Sequence, residues 1–333
     1  MAALPDVLIP YAKSFDTFFR AQNAPRRTQT PLSIQAPIDY TLENGGKRVR
    51  PLLTLLGAEL CGGSIDDALP AACCVEMTHN FTLIHDDVMD DADIRRGQPS
   101  VYKKWGVNTA ILSGDSLFVQ AMMLLTDHYD SLPNNRFHHL YKIYLESIYQ
   151  VCNGQALDMD QASDQLSSPQ DYLKMIDGKT AALLRGALLM GGVVAGGSES
   201  QLAHLHALGT DLGLAFQIQD DLLDVTGSQE KVGKSIGGDI IEGKQTFLMT
   251  TLCEQMTSTH QKELQSMLSK PKRDDSDVAW VIKQMESYGV VDEAQRALRQ
   301  YYQQGMTHLD AFAESNAYDV FSTLIHYLMG REG

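Results

Sequence analysis

The sequence predicts an all-α protein, and three observations carry that prediction. Long stretches repeat apolar residues with the 3.6-residue helical period, almost none alternate as strands do, and few prolines interrupt residues 51 to 270. In chain order the periodic stretches are "VRPLLTLLGAELC" (49–61), "DALPAACCVEMTHNFTLIH" (67–85), "NTAILSGDSLFVQAMMLLTDHY" (108–129), "GKTAALLRGALLMGGVVAG" (178–196) and "HLHALGTDLGLAFQIQDDLLDV" (204–225). Pro51, Pro70, Pro99, Pro133 and Pro169 are expected at helix starts or connections, and loops are expected over 23–35, 94–106, 226–243 and 268–278. None of these resembles an interdomain linker, so residues 1–333 read as one large helical domain.

Acids outnumber bases 42 to 27, a net charge of −15. A general affinity for nucleic acid or an anionic membrane is therefore excluded, and an acidic substrate needs a local basic cluster or metal ions. Cys61, Cys73, Cys74, Cys152 and Cys253 form no CxxC, which suits reduced thiols in a cytoplasm. The first apolar stretch is broken by Pro5, Asp6 and Pro10, unlike a signal peptide, and the apolar segment 180–197 contains Arg185 and five glycines, so no stable membrane insertion is expected.

The chemistry enters at "MTHNFTLIHDDVMDDAD" (77–93), where an apolar helical pattern runs into five aspartates. Such a helix end should fray, because Asp is a poor helix former and like charges repel at i,i+4. A second copy of the D-D-x-x-D spacing, Asp220, Asp221 and Asp224, matches the first, Asp86, Asp87 and Asp90, again at the end of an apolar helix. One copy alone reads best as a solvated helix end; two in the same register do not. Positions i and i+4 share a helix face, so facing helices would converge up to six carboxylates, an arrangement that needs divalent cations. Oxygen ligands without a dedicated cage suit Mg²⁺, and neither stretch has the twelve-residue loop of an EF-hand.

Basic residues alternate with these acids. "ENGGKRVRP" offers Gly46, Lys47 and Arg50; "IRRGQ" offers Arg95 and Arg96; "GKT" offers Lys179 and Thr180 at an expected helix start; "KVGKSIGGDIIEGKQT" offers Lys234 and Lys244. Each alone is an ordinary surface charge. No GxxxxGK[ST] phosphate loop is present, which disfavours an ATP- or GTP-binding fold.

The ordered set GGKRVRP, LIHDDVMD, RRG, GQ, GKT, FQIQDDLLD and GK…GK resembles the trans (E)-isoprenyl diphosphate synthases, the polyprenyl synthetase family, over residues 40 to 250. The resemblance implies a helical bundle around a central active-site cavity. It also implies Mg²⁺-dependent head-to-tail condensation of isopentenyl diphosphate with dimethylallyl, geranyl or farnesyl diphosphate. On the matching positions, Asp86, Asp87 and Asp90 would bind two Mg²⁺, and Asp220 with Asp221 and Asp224 a third. Arg95, Lys179 and Lys234 would grip the allylic diphosphate. Gly46, Lys47, Arg50, His79 and Arg96 would form the isopentenyl diphosphate pocket, with Phe216 and Gln217 near it and Lys244 on the later loop. Residues 226–243 would form a lid, the departing diphosphate would take the proton, and the chain would form a homodimer. Five positions before the first aspartate motif, Phe81, flanked by Thr82, would floor the cavity and set a C15 to C20 product, with Leu117 or Phe118 as the alternative determinants. A terpene cyclase would use an N-D-x-x-S-x-x-x-E second motif in place of DDLLD, and a non-catalytic subunit would have lost one aspartate motif.

Overall fold

Apolar residues at helical spacing and well-placed caps build the fold, which a computed structural model describes for residues 4–26, 30–161, 167–227, 237–270 and 273–330. The helices are α1 (Ile9–Arg26), α2 (Leu32–Glu43), α3 (Val49–Leu60), α4 (Ile65–Met89), α5 (Val101–Trp105), α6 (Val107–Tyr129), α7 (Asn134–Gln161) and α8 (Pro169–Ile176). They continue as α9 (Ala182–Ala195), α10 (Glu199–Thr226), α11 (Gly238–Glu242), α12 (Phe247–Gln255), α13 (Ser258–Leu268), α14 (Asp275–Ser287), α15 (Val290–Leu309) and α16 (Tyr318–Met329). Side-chain caps fix where several begin: Ser64 accepts from the Asp67 N–H at α4, and Ser168, Ser198 and Asp274 close reciprocal capping boxes at α8, α10 and α14.

Three expectations change in detail. The predicted loop 94–106 contains an antiparallel ladder, β1 (Ile94–Arg95) with β2 (Gln98–Pro99), and then α5. Pro70 sits inside α4 rather than at its start, and Pro37 likewise lies inside α2. Lys179 and Thr180 do not open a helix: Asp177–Ala181 is a π-helical turn that runs between α8 and α9.

Helix α9 lies at the centre because its glycines admit neighbouring backbones. A Cβ on Gly191 would lie 2.0 Å from the Thr54 carbonyl of α3, and a Cβ on Gly57 2.6 Å from the Leu188 carbonyl, so these two helices touch through main chain. The apolar side chains form two clusters. One gathers α1 to α7, α9 and the C-terminal helices; the other gathers α8 and α11 to α15. Helix α10 serves both, with Leu205, Leu208 and Leu212 in the first and Leu214, Ile218 and Leu222 in the second. Two stretches, Val107–Tyr129 and Pro169–Ala195, are long and apolar enough to cross a membrane, yet 72% of the apolar window in the second is buried inside the protein.

The π turn meets α7 at its tightest contact. A Cβ on Gly154 would lie 2.1 Å from the Lys179 backbone nitrogen, and a Cβ on Gly178 2.9 Å from the Gly154 Cα. Gly154→Ala is expected to force α7 off the π turn, lowering stability by about 1–3 kcal/mol in thermal unfolding and lowering turnover by more than the stability loss explains.

Candidate active site

Helix α4 carries the first aspartate motif on its last turn, and the two faces of that turn do different work. Asp87 points inward at 3% exposure, where Arg95 grips its Oδ1 at 2.7 Å from Nε and 2.6 Å from a terminal nitrogen. The same guanidinium lies 3.4 Å from Asp86 Oδ2. Burial pushes the Asp87 carboxyl up while Arg95 pulls it down. Burial would lower Arg95, but the bond to Asp87 and the charges of Asp86, Asp87 and Asp90 outweigh that. Asp86 stays half-buried and reaches Lys179 Nζ at 3.6 Å. Asp90 is raised by burial and then by the charge of Asp86, as two carboxylates on one face require.

The second motif repeats this division. Asp221 is 2% exposed, and both its oxygens are taken inside the protein. Oδ1 accepts from Gln217 at 3.1 Å; Oδ2 accepts from the Tyr172 hydroxyl at 2.6 Å and the Phe247 N–H at 2.9 Å. Burial pushes its carboxyl up to about 7 against these bonds. Asp221 therefore departs from its expected part as a ligand facing the cavity: one step along a helix turns it away from the face shared by Asp220 and Asp224. Those two remain half-exposed, and Asp224 Oδ2 accepts from the Asp239 N–H at 3.1 Å.

Lys179 owes its position to the π turn and to a residue the sequence reading passed over. Asp158 of α7 accepts from its Nζ at 2.5 Å. Burial would lower Lys179, but Asp86 and Asp158 hold it above its ordinary value. The available signal was "GQALD": the GQ is part of the motif set, and Asp158 lies one helical turn past Gln155. Thr180, the next residue, donates to Gln217 Oε1 at 3.2 Å, so one turn touches both aspartate clusters.

On the other side of α4, the GGKRVRP stretch bends through Gly45 (φ 71°), Gly46 (φ 152°) and Arg48 (φ 51°) before α3 begins. Arg96, also left-handed at φ 52°, donates to the Gly45 carbonyl, and a Cβ on Gly46 would lie 3.2 Å from its guanidinium. Arg50 meets His79 Nε2 at 3.2 Å. An arginine can only donate, so Nε2 is the acceptor and the imidazole carries its proton on Nδ1. Burial, then the charges of Arg50 and Arg96, hold His79 neutral, far below the ordinary imidazole range. Nε2 thus accepts from Arg50 and orients it. Burial lowers Arg50 to about 10, and its Nε is buried with no hydrogen-bond partner, a donor that calls for an anion. Lys47 lies 5.9 Å over the Tyr327 ring.

Between these groups lies a cavity of about 360 Å³, lined by Arg50, His79, Phe81, Thr82, Asp86, Met89, Val151, Lys179, Thr180 and Leu183 among others. Phe81 packs on Phe118 with ring centroids 5.0 Å apart. Thr82 turns its hydroxyl back to the His79 carbonyl at 2.8 Å. Arg95 and Arg96 border a narrow adjoining cleft beside Asp87. Phe216 packs against the larger core, and Lys244 pairs with Glu242 at 2.6 Å and Asp239 at 3.4 Å. Lys234 and half of the expected lid, residues 228–236, lie outside the described residues. Among the described residues no three His, Cys, Asp or Glu side chains form a ready metal cage. The donor set still fits Mg²⁺, which takes one or two carboxylates and completes its shell with phosphate oxygens and water.

The relatives and structural neighbours of this all-helical chain are prenyltransferases. Residues 31–285 match the family model described as polyprenyl synthetase, and the chain belongs to that family. It is 34% identical over 332 residues, the full length of both chains, to a short chain isoprenyl diphosphate synthase of Methanothermobacter thermautotrophicus. The structure resembles the geranylgeranyl pyrophosphate synthetase of Pyrococcus horikoshii, with a TM-score of 0.88, 29% identity and 96% of each chain covered. It also resembles a geranylgeranyl pyrophosphate synthase of Corynebacterium glutamicum complexed with isoprenyl diphosphate and magnesium, with a TM-score of 0.84, 26% identity, and 99% of this chain and 100% of that one covered.

Two outcomes follow. Asp158→Asn should lower turnover by about 10- to 100-fold with the helical circular-dichroism spectrum kept, because Lys179 loses the charge that steadies it; wild-type turnover would refute this. His79 is neutral in the fold and protonates near pH 6.5 when unfolded, so stability is intact above that pH and falls as pH drops below it. Its share is about 1.4 kcal/mol per pH unit. Chemical denaturation from pH 7 to 5 should therefore show a shallower loss for His79→Gln than for the native chain.

Proposed function

We propose that this protein joins isopentenyl diphosphate head-to-tail to an allylic prenyl diphosphate, giving a C15 to C20 all-trans prenyl diphosphate and free diphosphate. The observation that carries the reading is one apolar cavity with differently built charged seats on its walls: Asp86 with Lys179, and Arg50 with His79. A cavity of this size with few convergent polar groups suits a small-molecule site.

Mg²⁺ ions, three with both substrates bound, would be held by Asp86, Asp90, Asp220 and Asp224, with Asp87, expected as a ligand, turned inward on Arg95 as Asp221 is on its own donors; the ions would supply Lewis-acid stabilisation of the leaving diphosphate. Arg95 and Lys179 pair with Asp86 at 3.4 and 3.6 Å and would add their own donors to the allylic diphosphate. The allylic C–O bond breaks with its electron pair on diphosphate. The isopentenyl double bond, held by Lys47, Arg50 and Arg96 on its own diphosphate, then forms the new C–C bond, and loss of a proton to the departing diphosphate restores a trans alkene. Phe81, Val151 and Leu183 present apolar walls that keep water from the cation.

The same reading covers the assembly. Val107, Ile111, Leu112, Val119 and Met123 form an outward apolar stripe on α6, and Leu145 and Tyr149 lie exposed on α7; a second copy of the chain would cover them in a homodimer. We also read the chain as one domain, since α10 joins both cores, and as cytoplasmic, since its five thiols suit a reducing compartment.

Incubation with isopentenyl and dimethylallyl diphosphates and Mg²⁺, followed by chromatography of the dephosphorylated alcohols, should give farnesol or geranylgeraniol; a cyclic hydrocarbon or no product would overturn the proposal. Phe81→Ala should stay folded and lengthen the product by at least one five-carbon unit, opening the cavity toward Thr78, whose hydroxyl bonds Tyr144 at 3.0 Å. If Phe81 served packing alone, the variant would lose about 3–5 kcal/mol and keep its product length.

A further inference from the structure

The GGKRVRP stretch holds three basic residues, and the middle one turns away from the cavity. We propose that Arg48 and Glu76 are positioning residues: a buried ion pair that holds the loop so that Lys47 and Arg50 face one diphosphate. The inference rests on the reading of Lys47, Arg50 and Arg96 as that diphosphate's pocket.

Both terminal nitrogens of Arg48 are bonded within the protein. One terminal nitrogen donates to Glu76 Oε1 at 2.5 Å and the other to the Leu42 carbonyl at 3.0 Å, while Nε lies 3.7 Å from Asp16. Its guanidinium faces the rings of Phe15 and Phe19, 5.9 and 5.6 Å from their centroids. The side chain is 13% exposed and that of Glu76 3%. Three elements thus close on one guanidinium: α1, the end of α2 and α4.

The backbone explains why the loop needs an anchor. Arg48 is left-handed, a conformation that costs a non-glycine residue about 1–2 kcal/mol and persists only where its surroundings enforce it. That turn sets the direction in which α3 leaves, and Arg50 is the second residue of α3. A relaxed Arg48 would swing the loop and carry Lys47 and Arg50 with it.

Glu76 also fixes the other wall. It lies three residues before His79 on α4, and Asn80 donates to its Oε1 at 3.2 Å and to its carbonyl at 2.7 Å. Its charge is the foremost influence holding up Arg50 and Arg96 against burial. One buried carboxylate therefore bonds the anchoring guanidinium and balances the two that await an anion.

The test separates anchoring from packing. Arg48→Met with Glu76→Met removes both members of the pair together, so neither is left as an unpaired buried charge. The expected result is a KM for isopentenyl diphosphate raised about tenfold or more, with the allylic KM and kcat within about threefold of the native values. An unchanged isopentenyl KM, or equal shifts in both KM values, overturns the inference. Should the double variant not fold, Arg48→Lys serves: it keeps the charge but cannot fork between Glu76 and Leu42, so the same selective rise is expected, and native KM values overturn the inference. Arg50→Ala measured alongside distinguishes the failures. If it does not raise the isopentenyl KM selectively, the pocket reading fails; if it does and the Arg48 variants do not, only the anchor fails.

Discussion

The middle aspartate of each D-D-x-x-D stretch is the fixed point from which the site is built. Asp87 and Asp221 are withdrawn into the protein, and their neighbours at i−1 and i+3 are left more exposed, Asp86 on the cavity wall. A carboxylate buried without partners would be intolerable, so each commands its own set of donors. Asp87 takes the Arg95 guanidinium; Asp221 takes a phenol, an amide and a backbone N–H. The motifs look identical in sequence, yet the first is secured by a charge and the second by neutral dipoles, which is why burial pushes Asp221 up to about 7.

Cation placement follows from that asymmetry. Where the buried aspartate already has a guanidinium, the half-exposed Asp86 recruits Lys179, and Lys179 is steadied by Asp158. The chain that delivers these charges is main-chain contact: Gly154 against the π turn, Gly191 and Gly57 between α9 and α3. Close backbone approach leaves little freedom for helices to slide, and so the site inherits the rigidity of the frame.

Much of this was legible in the sequence. Helical periodicity exposed the long helices, because their apolar faces meet a continuous core; spacing exposed the two aspartate motifs, and the family came from the resemblance of the ordered motif set. The sequence reading missed what depends on contact. Short pairing at Ile94–Arg95 has no room for an alternating pattern, and a π turn leaves no periodic trace, so Lys179 looked like a helix start. Asp158 became visible only once Gly154 and Gly178 brought α7 against that turn. The acceptor state of His79 required knowing that Arg50 lies 3.2 Å away.

The π turn also acts as a gauge of chain length. Lys179 reaches the first aspartate motif and Thr180, its neighbour, reaches Gln217 beside the second. An ordinary helix advances about 100° per residue, and the wider turn stores one extra residue without breaking the helix that runs through it. Removing a residue from 177–181 would restore a regular helix but rotate α8 relative to α9 by that angle, and only one of the two motifs could keep its partner. The number of residues here, as much as their identity, keeps the two halves in phase.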